Sequence, residues 1–206
     1  MIKNIVFDVG NVLVDFKPKQ YLAQFPFSEE LQEQLYEIIF KSPGWLACDR
    51  GTYPTIADYR EVLIQQNPHL KEAIEQVLNE NWVEKLHIEK PDSIDWLKKM
   101  KQKGYAIYLF SNCAEETYAY MQTLSFYPYI DGGVYSFEKH WCKPEKKIYT
   151  YLLETYCIKP EESIFLDDNA ANIEQAKACG IYGILFENIK QAKKEVEQII
   201  KKEESK

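Results

Sequence analysis

An apolar run that ends on a carboxylate opens this chain, and it constrains the fold more than any other feature. Residues 4–7 read as a short buried strand, and the turn-forming pair Gly10-Asn11 interrupts the run soon afterwards. Asp8 is therefore expected at the carboxyl end of the first strand, where open α/β sheets bind their ligands. Because burying an unpaired carboxylate is costly, Asp8 should meet a cation or react. The plainer alternative is an aspartate that caps the next turn.

Short apolar runs alternate with helical patterns from residue 91 to the end of the chain. Pro91 and Gly104 bracket the first of these helices. The pattern predicts helices over residues 92–102, 115–124, 144–156 (begun by Pro144), a stretch ending at 179, and from 188 onward. It predicts strands over residues 105–110, 133–136, 163–166 and 182–186. This alternation is typical of an α/β fold with a doubly wound parallel sheet.

Residues between the first strand and Pro91 show helical spacing only. Amphipathic stretches cover residues 28–40, 55–65 and 69–86, and Ser28 can cap the first of them. No convincing strand interrupts them. We therefore predict an α/β core from residues 1–15 and 90–206, with an inserted helical domain over residues 16–89. Its apolar stripes are expected to form its own core rather than a cofactor site.

Composition excludes several classes of function. The net charge is −7, with two arginines, which argues against nucleic acid as the main partner. No apolar run reaches the roughly 18 residues needed to span a bilayer, so no membrane partner is expected. The first strand follows Met1 at once, and the five cysteines fit free thiols better than a disulfide framework. These features favour a cytoplasmic protein.

Three further polar pairs end strands or open a helix: Ser111-Asn112, Lys143-Pro144 and Asp167-Asp168. Because parallel strands present their carboxyl ends at one edge, these pairs should gather around Asp8. The carboxylates are hard oxygen ligands suited to Mg²⁺, and the lysine is a positive charge suited to phosphate oxygens. Each pair also has a plainer interpretation, namely a helix cap, a solvated loop lysine and a helix N-terminus.

The type and order of these motifs resemble the haloacid dehalogenase superfamily, most of whose members are magnesium-dependent phosphohydrolases. The resemblance covers residues 1–15 and about 90–190, and the helical insert lies where that superfamily carries its cap domain. The run from Phe7 to Asp15 is similar to a subgroup of sugar-1-phosphate phosphatases, notably α-glucose-1-phosphatase. The resemblance implies a small phosphate ester as substrate. We expect a monomer or homodimer.

The resemblance also implies a role for each acidic residue at the sheet edge. Asp8 would be the nucleophile that forms an aspartyl-phosphate, and it would also contact Mg²⁺. The backbone carbonyl of Gly10 would be a second metal ligand. Asp168 would be the main acidic ligand in the last motif, with Asp167 as a further ligand or as its neighbouring support.

The remaining site residues would bind the phosphoryl group or the substrate. By the same resemblance, Ser111 and Asn112 would hold phosphoryl oxygens or the substrate, and Lys143 would stabilise charge on the phosphoryl group and on the nucleophile. In the insert, Arg50 could present a guanidinium to the substrate, and Asp49 could bind sugar hydroxyls. Alternatively, Arg50 forms a structural ion pair or lies at a helix end.

The chain departs from the superfamily pattern at Gly10, where most of its phosphatases carry an acid that protonates the leaving group. Such general acid–base help is worth about a hundredfold to ten-thousandfold. Asp15, a metal-bound water or an insert residue could replace it. The glycine also leaves two alternatives to a phosphatase: a protein that binds a phosphorylated metabolite with little turnover, and a 2-haloacid dehalogenase. The acidic pair Asp167-Asp168 argues against the dehalogenase.

Overall fold

A central parallel sheet organises the chain, as the computed structural model shows for residues 1–205. Five of the seven strands in these residues form this sheet, in the order β5-β4-β1-β6-β7. The seven strands are β1 (Asn4–Phe7), β2 (Val14–Phe16), β3 (His87–Glu89), β4 (Ala106–Ser111), β5 (Gly132–Tyr135), β6 (Ser163–Asp167) and β7 (Tyr182–Leu185). The predicted doubly wound α/β fold is confirmed.

Helices cover the sheet and form the insert. Residues 1–205 contain twelve α-helices: α1 (Pro18–Leu22), α2 (Glu29–Leu35), α3 (Pro43–Asp49), α4 (Ile56–Gln66), α5 (Lys71–Val77), α6 (Trp82–Leu86), α7 (Pro91–Gln102), α8 (Glu115–Met121), α9 (Ser136–Lys139), α10 (Lys146–Thr155), α11 (Ala170–Ala178) and α12 (Ile189–Glu204). A π-helical segment, Tyr36–Phe40, extends α2. None of the described helices is both long and apolar enough to cross a membrane.

The register of the sheet explains why one edge collects the polar residues. Strand β1 is central and fully buried, and its last residue, Phe7, lies opposite Leu109 of β4 and Leu166 of β6. The chain fills one side of β1 with β4 and β5 and the other with β6 and β7, so the order of strands reverses at β1. Open α/β sheets bind ligands at such a reversal. The residues that follow Phe7, Leu109 and Leu166 therefore converge at this carboxyl edge.

The helical insert has a hydrophobic cluster of its own. Trp82, Tyr59 and Tyr21 are its largest buried side chains, and the Trp82 ring packs edge-on against Trp45. The helices α1 to α6 supply most of this cluster, which explains the apolar stripes seen in the sequence. The division into a core of residues 1–15 and 90–206 and a domain of residues 16–89 remains a prediction.

The expectation of no strand in the insert was wrong. Strands β2 and β3 pair antiparallel, with Asp15 opposite Ile88, and join the two ends of the insert in a short ribbon. Each strand has three residues, which is too short to show an alternating pattern. The residues that pair are also about seventy positions apart along the chain, so no local turn sequence indicates that the two strands pair.

Two predicted helices also differ from the structure. The stretch 69–86 is not one helix, because it breaks between α5 and α6, where Asn79 binds the backbone of Gln76 and of Asn81. The helix predicted from Pro144 begins at Lys146 instead. Pro144 follows a cis peptide bond, and a turn closed by the Glu145 N–H and the Cys142 carbonyl precedes the helix.

Candidate active site

A buried lysine lies at the centre of the site. The Lys143 ammonium donates to Asp8 Oδ1 at 2.8 Å, to Asp167 Oδ2 at 2.6 Å and to the Phe110 carbonyl at 2.7 Å. These three acceptors account for all three ammonium protons. The Lys143 side chain is only 1% exposed, so the pair with Asp8 is screened little by water. The structure thus brings together the predicted nucleophile, the predicted cation and one of the paired aspartates.

The charges of this cluster depend on one another. Burial raises the pKa of Asp8 above its ordinary value, and the positive charge of Lys143 opposes this rise. Burial disfavours the ammonium of Lys143, but the carboxylates of Asp8 and Asp167 outweigh that effect and raise its pKa. Lys143 is therefore a fixed positive charge at neutral pH.

Asp167 is fully buried, and its oxygens are occupied by protein donors. Oδ1 accepts from the Asn169 N–H at 2.8 Å, both oxygens accept from the Asn172 amide at 3.0 Å, and Oδ2 also accepts from Lys143. A carboxylate saturated in this way holds its neighbours in place. Of the two roles considered for Asp167, these contacts favour support over direct metal ligation.

Asp168 is the exposed member of the acidic pair. The Asn11 amide donates to its Oδ2 at 2.8 Å, while Asn11 Oδ1 accepts from the Phe16 N–H. Asn11 adopts a left-handed conformation with φ of 56°, which asparagine tolerates better than most residues. The asparagine of the first turn thus ties the last motif to the start of the insert, a role that sequence reasoning missed.

The donor set at this edge fits a magnesium ion. Asp8, Asp167 and Asp168 each have a carboxylate oxygen within 4.8 Å of the others. Among residues 1–205, the buried Oδ1 of Asn172 has no hydrogen-bond partner, and Asn172 lines the same cavity as Asp8. Hard oxygen ligands and a nearby unpaired acceptor suit a cation that keeps several waters. Gly10 also lines this cavity, as the predicted carbonyl ligand requires.

The two residues after β4 have different surroundings. Ser111 is buried and lines the cavity, and its hydroxyl contacts the Asn112 carbonyl at 3.4 Å and the Cys113 thiol. The Asn112 amide instead binds the backbone of Lys143 on both sides, accepting from its N–H at 2.8 Å and donating to its carbonyl at 3.0 Å. Asn112 therefore positions Lys143, and one of its two amide N–H groups is used in doing so. Its predicted contact with the phosphoryl group or the substrate stays a prediction.

A cavity of about 180 Å³ opens above these residues, between the sheet edge and the insert. The core supplies its polar wall and the insert supplies Phe16, Trp45, Asp49 and His87. Among these, Asp49 is the one carboxyl from the insert, and burial raises its pKa to about 7 against the opposing charge of Lys143. From the sequence, Asp49 was considered as a side chain that could bind sugar hydroxyls. No sequence pattern indicated that His87 would be buried in this wall.

Arg50 lies outside the cavity lining. Its guanidinium pairs with Glu145 at 2.6 Å and donates to the His140 carbonyl at 3.2 Å, while His140 Nδ1 lies 2.6 Å from the Arg50 carbonyl. These contacts match the structural ion pair considered for Arg50, with Glu145 of the core as its partner. They do not match the predicted contact between Arg50 and the substrate. Asp15 of β2, one possible substitute for the missing acid, pairs with Lys17 at 2.8 Å and does not line the cavity either.

A carboxylate–lysine pair and an acidic cluster, at the reversal point of a parallel sheet and under a helical insert, define an α/β enzyme of the haloacid dehalogenase type. The chain belongs to the family of haloacid dehalogenase-like hydrolases, whose model matches residues 2–180.

Two relatives and one solved structure show the range of similarity. A D-ribitol-5-phosphate phosphatase of Bacteroides thetaiotaomicron is 27% identical, over 91% of this chain and 93% of that protein. Bifunctional epoxide hydrolase 2 of Mus musculus is 42% identical over 57 residues, which are 28% of this chain and only 10% of that protein. The crystal structure of HAD family enzyme bt-2542 of Bacteroides thetaiotaomicron, in complex with magnesium and inorganic phosphate, has a TM-score of 0.67 at 22% identity, with 93% and 99% of the two chains covered.

Proposed function

We propose that this chain is a magnesium-dependent phosphatase that hydrolyses a small phosphorylated metabolite, with sugar phosphates as the favoured class. The observation that carries the proposal is the Asp8–Lys143 pair at the carboxyl end of the central strand, beside the acidic cluster. The similarity to a D-ribitol-5-phosphate phosphatase over nearly its whole length supports it. The cavity is small, which suits a compact ester rather than a macromolecule.

Lys143 orients the nucleophile in this proposal. It holds Oδ1 of Asp8, which leaves Oδ2 to approach phosphorus. As the bond from Asp8 to phosphorus forms, the bond from phosphorus to the leaving oxygen breaks, and its electron pair stays on that oxygen, which takes up a proton. Water then attacks the aspartyl-phosphate, releases phosphate and regenerates the Asp8 carboxylate. Splitting one displacement into two lowers the barrier of each.

The remaining groups stabilise charge. In this proposal the Ser111 hydroxyl would bind a phosphoryl oxygen. The positive charge of Lys143, which stays hydrogen-bonded to Asp8, Asp167 and the Phe110 carbonyl, would stabilise negative charge on the phosphoryl group in a buried site where such effects are strong. Asp8, Asp168 and the Gly10 carbonyl would hold magnesium, with Asp167 as their support. The bound ion would supply positive charge that offsets the repulsion between a carboxylate and a phosphate.

The test is phosphate release from a panel of sugar phosphates, other small phosphate esters and p-nitrophenyl phosphate. We expect release with Mg²⁺, loss with a chelator, and loss in Asp8→Asn. Asp95→Asn, the same substitution at an exposed aspartate of α7, is the control and should keep wild-type activity. Equal behaviour of wild type and Asp8→Asn across the panel would favour a binding protein, and halide release from 2-chloropropionate without metal would favour a dehalogenase.

A further inference from the structure

The proposed phosphatase lacks an acid where its superfamily usually has one, because Gly10 carries no side chain. A leaving alkoxide still needs a proton, so another group must supply it. The cavity lining described by residues 1–205 contains three carboxyl groups, on Asp8, Asp49 and Asp168. The nucleophile and the metal site use Asp8 and Asp168. Asp49 is the one carboxyl group of these three that the proposed mechanism does not yet use.

The core fixes the position of Asp49, although the residue belongs to the insert. It is the last residue of α3, and its carbonyl accepts a hydrogen bond from Ser136 Oγ of the core. Ser136 in turn accepts from the Cys113 N–H at 2.9 Å. The next residue, Arg50, is held by Glu145 and by His140. These contacts hold the end of α3 against the start of α9 and the loops that carry Cys113 and Lys143.

The side chain of Asp49 is free to act. No hydrogen bond or ion pair to its carboxylate occurs within residues 1–205, although it lines the same cavity as Asp8 and Lys143 and is close enough to feel the charge of Lys143. Its burial disfavours the charged form, and its pKa of about 7 lets it both give and take a proton near neutrality. The four titratable groups that surround it come from three segments of the chain: Cys48, Cys113, and the neighbours Cys142 and Lys143.

We propose that Asp49 is the catalytic residue that exchanges the proton with the leaving group, reaching the site from the insert instead of from the first turn. This inference rests on the proposed function. When the bond from phosphorus to the leaving oxygen breaks, the electron pair on that oxygen takes the Asp49 proton. The resulting Asp49 carboxylate then takes a proton from the water that attacks the aspartyl-phosphate. After the two steps together, Asp49 is protonated again, as it was at the start.

The test compares Asp49→Asn with wild type on two leaving groups, in a single turnover with Mg²⁺. p-Nitrophenolate leaves without a proton, whereas glycerol leaving from glycerol phosphate needs one. We expect glycerol release to slow by about a hundredfold or more, with the first p-nitrophenol burst changed only slightly. An equal loss on both substrates, or no loss on either, would overturn the proposal. Asp95→Asn is the matched control for fold and activity.

A second variant separates the lost proton from lost shape. A side chain at position 10 has room, since a Cβ built there meets its nearest neighbour, Phe16 Cβ, at 3.9 Å. Adding Gly10→Asp to Asp49→Asn should restore release of glycerol, because it returns an acid to the first turn. If Asp8→Asn keeps the p-nitrophenol burst, the proposed function itself fails; if only Asp49→Asn behaves as wild type, the inference about Asp49 fails alone.

Discussion

The two walls of the cavity differ in how fully their polar groups are hydrogen-bonded. The wall from the sheet edge buries the charges of Asp8, Asp167 and Lys143 and satisfies them with hydrogen bonds from the core. The wall from the insert is mainly aromatic, and its polar members, Asp49 and His87, have few partners. The comparison indicates that the core fixes charge before a substrate arrives, whereas the insert supplies apolar cover and a group that can change its protonation.

The charge of the core wall gives the largest expected effect. Asp8→Asn removes the attacking carboxylate but keeps the size of the side chain. On the scale of other nucleophile replacements, we expect kcat to fall by about a thousandfold or more. Steady-state phosphate release with Mg²⁺ measures it. A loss of less than tenfold would contradict the assignment of the nucleophile.

Removing the central cation should weaken the fold as well as the reaction. Lys143→Met leaves two buried carboxylates without their shared partner, and breaking a buried pair costs about 3–5 kcal/mol. Urea unfolding measures the free energy of unfolding. The control is Lys146→Met, at an exposed lysine of α10, which should stay within about 0.5 kcal/mol of wild type. Equal effects of both substitutions would show that the core wall is not held by charge.

The insert wall should instead be sensitive to acid through His87. Burial lowers the pKa of His87 from 6.5 to about 4, with a contact between Nδ1 and the Val83 carbonyl opposing the shift. In the unfolded chain the His87 imidazole becomes protonated as the pH falls below 6.5, whereas in the folded chain it stays neutral until the pH approaches 4. Stability from this residue is present above pH 6.5 and is lost as the pH falls towards 4, by on the order of 3 kcal/mol.

Urea unfolding of wild type and His87→Phe at a series of pH values tests this effect. The phenylalanine keeps an aromatic ring beside Phe16 and removes the titration, so the variant should show a shallower pH dependence. His69→Phe, at an exposed histidine, is the control and should follow wild type. Parallel curves for wild type and His87→Phe would contradict the buried neutral histidine.

The link between the two walls gives the smallest effect on stability. Arg50 and Glu145 are each about a third exposed, with side chains at 35% and 37%, so their ion pair should contribute less than about 1 kcal/mol. A double-mutant cycle with Arg50→Gln and Glu145→Gln measures this coupling by urea unfolding. We expect a coupling that is small but above zero. A coupling of zero would mean that this pair does not join the insert to the core.

The core was largely predictable from the sequence, and the reason is local. Strand β1 is one short apolar run that the sequence shows directly. Residues at the carboxyl ends of parallel strands lie close together however far apart they are along the chain. Asp8, Lys143 and Asp167 therefore came together as expected. The family resemblance could name Asn112 but not its task, because clamping the Lys143 backbone depends on a contact between residues 31 positions apart.

The insert was predictable as helices but not as a wall of the site. Thr55 caps α4 through a local capping box, which the sequence can show. The contact between Ser136 and the Asp49 carbonyl joins residues 87 positions apart, and neither residue type signals it. For the same reason the sequence could not tell that Arg50 would meet Glu145 and that Asp49, its neighbour, would face the cavity.

The most direct test of Asp8 as the nucleophile is to trap the covalent intermediate. The protein is mixed with p-nitrophenyl phosphate and Mg²⁺, quenched in acid during the burst, and digested for mass spectrometry. We expect one phosphoryl group on the peptide that contains Asp8, and none in Asp8→Asn. A phosphoryl group on another residue, or steady turnover by Asp8→Asn, would contradict it.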